Sequence, residues 1–469
     1  MTSTHDLGPA LPSFTPVARL RPVALVQPDA ATPLAPYLAA EVDLPDPTAP
    51  GIAELTFGDD RFAARWNGRT LSLRVTQGGA WRNHASRRHA TGRTPDAVAI
   101  TLTGPFVTGW LREDGAWVAR GVVDLVAERT AIDVHDEDWL ARFEGVGDRS
   151  GCFGQLGLRD IRVVTHADGT PYRCADGGEV LLTATSAGPG GFRTAHTSVW
   201  SFSPPTLPST LPSTVPTEDG PPPSLTHRGD LFFRRPPEDD VAGVFGDHAT
   251  HLVRDGDRWL VATSTWGTFD PKRDPHVSTT LATSTADLTA GQHVLDTVPL
   301  DLPTTGLTSV GRWDPHLVRR AATAAEPGGD WLVGFVSAER WFRFHPVLAS
   351  GPDLDSLSFL AATPDRLACE GTTLTEVDGR WWVLASDGPD SRRSERQTYP
   401  IFDLELTQHG VLDADYPSNI PWPTTLPPAP GAPSEQASDW SLIGFDSTPY
   451  GGPLLGYGTH GDVCVQRAH

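Results

Sequence analysis

The feature that most limits what this chain can fold into is a strand–turn–strand unit that recurs over its last two-thirds. In its clearest copy, Arg312-Trp313-Asp314-Pro315-His316-Leu317-Val318 is followed by a Gly-Gly turn at 328–329 and by Trp331-Leu332-Val333-Gly334-Phe335-Val336-Ser337. A carboxylate opens a short apolar strand, glycine turns the chain, and a second strand ends in a small hydroxyl residue. The segment GGEVLLTATSA at 177–187 aligns without a gap on GGDWLVGFVSA at 328–338. Further copies read 159–164 before that segment, 247–254 with 257–264, 370–375 with 378–386, and 439–443 with 453–459. Their second strands start near 180, 259, 331, 382 and 453, at steps of 51 to 79 residues. One such hairpin cannot bury its own apolar face, so the copies must pack on one another. Repeated sheets at this spacing predict a five-bladed β-propeller over 150–469. The competing arrangement is a second β-sandwich whose hairpins resemble one another.

Upstream the pattern changes. Residues 1–49 are rich in Pro and Ala and read as an arm, in which 17–26 is a strand lent to a neighbouring sheet. Residues 50–148 alternate apolar and polar side chains, as in 70–75 and 97–103, between Asn-Gly and Asp-Gly turns. That period of two predicts an antiparallel β-sandwich-like domain, so the fold class is all-β. The best helix candidate is 133–143, acidic in its first turns, as a hinge between domains. Two Pro-rich stretches, 203–223 and 421–433, read as connectors.

Charge narrows the partners. With 37 Lys+Arg against 58 Asp+Glu, the net charge of −21 argues against nucleic acid and against an anionic membrane surface. Cys152, Cys174, Cys369 and Cys464 form no CxxC pair, which points away from a zinc site and toward a reducing compartment. No apolar leader follows a basic start, and no run of about 18 apolar residues occurs, so a cytoplasmic location is expected. Oligomeric state is left open.

In a propeller the innermost strand of each blade lines the central channel, and its first residue stands at the channel mouth. The repeats therefore bring Asp160, Asp247, Asp314, Glu370 and Asp439 toward one region. Like charges gathered this way raise each other's pKa. A pair of carboxyls, one protonated and one ionised, is what glycosidic bond cleavage requires.

With these residues in order, the chain over about 151–469 resembles the five-bladed glycosidases, above all glycoside hydrolase family 43 and related furanosidases. The matching motifs are Arg159-Asp160 in the first blade, Asp314-Pro315 in the third and Glu370-Gly371 in the fourth. The resemblance implies catalytic roles for all three: Asp160 as general base, Glu370 as general acid, and Asp314 raising the pKa of Glu370 and orienting it. Thr372 and Ile161 stand where that pattern favours proline, and Asp439-Trp440 where it favours histidine. Asp247, in Gly246-Asp247-His248-Ala249-Thr250-His251, is the alternative base.

Substrate-binding candidates surround these groups. His248 and His251 are placed to bind sugar hydroxyls; with His316, His345 and His460 they are also candidates for an axial structural ion, although no cofactor is expected. Trp266, Trp313, Trp341 and Trp440 are candidate sugar platforms. Arg340, Arg343 and His345 form a cationic cluster suited to phosphate or a substrate acid. The expected function is hydrolysis of a furanosidic or pentose-containing glycoside with inversion. The rivals are a propeller phosphorylase or a retaining fructosyl-type hydrolase or transferase, and a non-catalytic carbohydrate-binding propeller.

Overall fold

The alternation seen upstream becomes two packed antiparallel sheets. The computed structural model describes residues 11–27, 32–85, 93–174, 179–205, 222–322, 329–428, 440–448 and 461–469. One sheet orders the strands Ala116–Asp124, Phe106–Glu113, Pro95–Thr103, Tyr37–Asp43, Arg149–Gln155 and Ala24–Val26. The other orders Phe143–Val146, Gly51–Phe57, Asp60–Trp66, Leu71–Gln77 and Ala80–Ala85. Alternate side chains such as Leu71, Leu73 and Val75 point inward and meet Leu55, Phe62, Ile100 and Leu111 in one core. Each fully buried side chain of this size contributes about 1.5–3 kcal/mol before entropy is charged against it.

The sandwich takes strands from both sides of its expected limits. Tyr37–Asp43, inside the stretch read as an arm, pairs along its whole length with Pro95–Thr103. Its core-facing residues include Ala39 and Ala40, fully buried but too small to give a strong hydrophobic signal. The predicted helix over 133–143 shrinks to Glu137–Leu140, capped by the Asp136 carboxylate, before the chain enters the edge strand Phe143–Val146. Trp139 on that turn stacks on Phe57 at 3.7 Å. Tyr37, Trp110 and Phe153 of the sandwich share a core with Phe232 and Val244 of the first blade, and the Tyr37 hydroxyl donates to the Ala195 carbonyl at 2.9 Å.

Five further sheets form the propeller. Their innermost strands are Leu158–Val163, His248–Asp255, Gly311–Arg320, Cys369–Val377 and Thr424–Leu426. Packed against sheets on both sides, strands such as Val180–Ser186 are buried along their whole length. The fifth blade differs from the sequence expectation. Its inner strand is Thr424–Leu426, inside the Pro-rich stretch read as a connector, and Ser441–Asp446 is its second strand. The repeat pattern missed it because prolines replace the glycine turn that marks the other blades. The Thr424 hydroxyl donates to the Ile161 carbonyl at 2.5 Å and closes the ring onto the first blade. Phe14–Leu20, from the N-terminal arm, pairs with Asp462–Ala468 as the outermost strand of this blade. Asp439, His460 and the strand expected over 453–459 lie outside the described residues. No helix among the described residues is long and apolar enough to cross a membrane.

Candidate active site

The first four inner strands each carry a β-bulge at the same point. Register breaks fall between Arg159 and Arg162, His248 and His251, Trp313 and His316, and Glu370 and Thr373. The residue after each last regular pair has positive φ: Asp160 at 49°, Ala249 at 60°, Asp314 at 59° and Gly371 at 73°. Asp and Gly tolerate this conformation better than most residues, and a bulge re-aims the side chains beside it. The blades therefore superpose with Arg159, His248, Trp313 and Glu370 at one position and Asp160, Ala249, Asp314 and Gly371 at the next. This explains the glycine after Glu370: a Cβ there would lie 2.4 Å from Trp422 Cδ1. It also shows that the second blade presents His248, not Asp247.

These residues open onto a cavity of about 530 Å³ at one end of the channel. Asp160, Asp314, Glu370, Arg159 and His248 line it, with Trp266, Trp313, Trp341 and Trp422. Trp313 Nε1 donates to Glu370 Oε2 at 3.4 Å. His248 Nε2 donates to the Phe192 carbonyl at 3.1 Å, which leaves Nδ1 as the acceptor, 3.8 Å from Asp160 Oδ2. Burial, aided by the charge of Arg159, holds His248 well below the usual histidine range and so neutral. The Asp314 backbone N–H donates to Ser264 Oγ at 2.9 Å. From inside the channel, Arg162 donates to the carbonyls of Asp314 at 2.9 Å and Thr372 at 3.0 Å, holding the bulges of two blades, and packs 4.4 Å from the Trp422 ring.

The electrostatics divide the carboxyls. Burial first, then the charge of Asp160, pushes Glu370 up to about 8; the Trp313 hydrogen bond and Arg159 oppose the rise. Asp314, only 2% exposed, is held well above the usual carboxylate range by burial first, then by Glu370 and Asp160. The expectation that Asp314 would act on Glu370 as a charge is therefore corrected. Asp314 is the most deeply buried of the three carboxyls, and the charge that lifts Glu370 is that of Asp160.

Several other expectations change. Asp247 is fully buried away from the cavity, 2.7 Å from Arg235, and accepts the Gly267 N–H at 3.0 Å. It braces the Trp266–Thr268 turn, and burial pushes it up to about 6. His251 and His316 stack 4.2 Å apart inside the channel, off the cavity wall. Each Nδ1 accepts a backbone N–H from the next blade, that of Leu317 at 3.0 Å and of Leu374 at 3.2 Å, so they brace neighbouring strands. Arg340 is exposed and Arg343 pairs with Glu339 at 2.8 Å; neither lines the cavity, and neither does the buried His345. Trp440 packs in the apolar cluster between the fourth and fifth blades. Of the expected binding residues, His248, Trp266, Trp313 and Trp341 do line the cavity.

Sequence reasoning missed Arg159, Arg162 and Trp422 as site residues, and also Phe269, Phe344, Asn419 and Ser447 on the cavity wall. A tryptophan inside a Pro-rich stretch was the available signal for Trp422, since a solvated connector has no use for one.

No protein-family model and no curated protein matches the chain. Among solved structures it is similar to a GH32 β-fructofuranosidase from Bombyx mori, at 15% identity over 66% of this chain and 60% of that one, with a TM-score of 0.41. It is similar also to the levansucrase from Bacillus subtilis, at 12% identity over 66% of this chain and 86% of that one, TM-score 0.42. A family 117 glycoside hydrolase from Zobellia galactanivorans matches at 11% identity over 66% and 84%, TM-score 0.41. The chain thus spans 60% of the Bombyx mori structure. What the cavity can do follows from its own groups.

Proposed function

We propose that this protein is a glycoside hydrolase that cleaves a furanosidic or pentose-containing glycoside with inversion. One observation carries the reading: Glu370, pushed up to about 8 by burial and by Asp160, shares with Asp160 a cavity large enough for a sugar ring. A carboxyl with a pKa near 8 is roughly nine-tenths protonated at pH 7, the state a general acid must hold. Glu370 then protonates the departing oxygen. Asp160 takes the proton of a water attacking the opposite face of the anomeric carbon. Asp314 hydrogen-bonds a sugar hydroxyl. Blades one and four stand two steps apart around the ring, which favours the wider carboxyl separation of roughly 6.5–9.5 Å that leaves room for the water, over the 5–5.5 Å of a retaining pair.

Hydrolysis is favoured over phosphorolysis because Arg340 and Arg343, the expected phosphate cluster, are not among the residues that line the cavity. The test is a panel of aryl arabinofuranosides, xylosides and fructofuranosides, each with and without inorganic phosphate, read by product chromatography. Free sugar released independently of phosphate supports the proposal. A sugar phosphate formed only with phosphate would make the enzyme a phosphorylase. Saturable sugar binding without any product would make it a binding propeller.

A further inference from the structure

We propose that the group released at this site is apolar: an aryl or alkyl alcohol rather than a second sugar. The inference rests on the glycosidase reading and names the substrate class within it. Its basis is that the cavity has two unlike walls. Blades two and three supply Trp266, Phe269, Trp313, Trp341, Phe342 and Phe344. These rings touch in series, Trp266 to Trp313 at 5.3 Å, Trp313 to Trp341 at 6.1 Å and nearly parallel, and Trp341 to Phe269 at 4.8 Å. Blades four and five supply a mixed wall, in which Asp390, Ser418, Asn419, Ser447 and Thr448 stand beside Ile420, Trp422 and Phe445.

Glu370, on the fourth blade, stands at the seam between the walls and touches Trp313 of the aromatic one. The mixed wall offers both an indole face, Trp422, for a sugar ring to lie on and the hydroxyls, amide and carboxylate its edge needs. The departing group must lie within reach of Glu370 and outside the sugar subsite, which places it along the rings. A second sugar could lay a ring face on these indoles, but its edge hydroxyls would find few partners: apart from Asp314 and His248 at the floor, the side chains of this wall offer only the indole N–H groups of Trp266 and Trp341. Unpaired hydroxyls against ring carbons cost binding energy, whereas an apolar group gains it.

Phe342 gives an independent sign. It is 64% exposed at the cavity rim, in the two-residue turn between the paired Arg340 and Arg343. Its φ is +65°, where such turns favour Asn or Gly. A bulky aromatic residue held in that conformation and left in solvent is an outlier of the kind that marks a ligand-binding position.

The test uses whichever glycone the protein turns over, as its methyl, hexyl and 2-phenylethyl glycosides and as a disaccharide. The three alcohols are of similar acidity, so differences in kcat/KM report contact with the released group. The 2-phenylethyl and hexyl glycosides should exceed the methyl glycoside by about tenfold or more. Phe342→Gly, which suits the backbone at that turn, should cut that ratio several-fold, and Asp390→Asn on the opposite wall should leave the ratio as it is. Equal rates for methyl and 2-phenylethyl glycosides, or a disaccharide cleaved fastest, would overturn the inference while leaving the glycosidase reading standing. Failure to cleave any glycoside would overturn that reading and this one's role for the wall. Binding of 2-phenylethanol followed by indole fluorescence reads the wall without turnover: saturable quenching weakened by Phe342→Gly supports an apolar subsite, and absence of quenching refutes it.

Discussion

Trp313→Phe should move the alkaline limb of activity upward. The Trp313 indole donates to Glu370 Oε2 at 3.4 Å and favours the carboxylate, opposing the burial and the Asp160 charge that together hold Glu370 near 8. Removing that donor leaves burial and Asp160 less opposed, so the pKa rises. A hydrogen bond to a charged group is worth about 1.5–3 kcal/mol at good geometry; at this length about half of that, ~0.7–1.5 kcal/mol, is reasonable. At 1.36 kcal/mol per unit this is about half to one pH unit. Phenylalanine keeps an apolar ring between Trp266 and Trp341, so the burial of Glu370 changes little. The assay is the pH dependence of kcat/KM, which reports the free enzyme, supported by substrate-free difference infrared spectra of the Glu370 carboxyl against Glu370→Gln. The apparent pKa should go from about 8 to about 8.5–9. A limb that stays in place or falls would show that the indole does not hold the charged form, and the account of the acid would fail.

Other outcomes follow from the same geometry. Glu370→Gln should lower turnover of alkyl glycosides by about 10²–10⁴ and spare substrates with acidic leaving groups; equal loss on both would remove Glu370 from the acid role. The raised pKa of Glu370 also sets a sign for folding. Stability from the proton it holds is complete below its ordinary value of 4.5 and is lost as pH rises through about 8, so urea midpoints should fall across that window, less steeply in Glu370→Gln. Asp247→Ala should destabilise by about 3–5 kcal/mol, because it leaves Arg235 buried without its carboxylate, whereas Asp160→Asn should abolish turnover and change stability by no more than about 1 kcal/mol. The reverse pattern would return the base to Asp247. Gly371→Ala should cost about 2–3 kcal/mol in urea unfolding, because a methyl group meets Trp422 at positive φ; a neutral result would mean the bulge yields.

How much was legible depends on how each feature is written in the chain. Strands read well where Trp, Leu and Val flank a glycine turn, as in the second, third and fourth blades. Tyr37–Asp43 was hidden by buried alanines, and Thr424–Leu426 by the prolines around it. Asp160, Asp314 and Glu370 were reachable because carboxylates mark the start of each repeat. The decisive offset was not: a bulge shifts the cavity-facing position by one residue, so His248 replaces Asp247, and a shift of that kind has no local sequence marker beyond an Asp or Gly that tolerates positive φ. Histidines 251 and 316 looked like ligands because polar residues near an axis attract that reading, yet each satisfies a backbone N–H of the next blade. Arg162 was passed over because a single arginine in a strand says nothing of the two carbonyls it reaches across the channel.

The central claim, that Asp160 and Glu370 cleave a glycoside with water across the channel mouth, is tested most directly by proton NMR of the first-formed product. A cleavable furanoside or pentoside of known anomeric configuration is mixed with enzyme in the spectrometer, and the anomeric signals are followed before mutarotation catches up. The account predicts that the first sugar to appear has the inverted configuration, and that neither Asp160→Asn nor Glu370→Gln forms it at the same rate. A first product of retained configuration would mean that one carboxylate attacks carbon directly and would contradict the roles assigned to both.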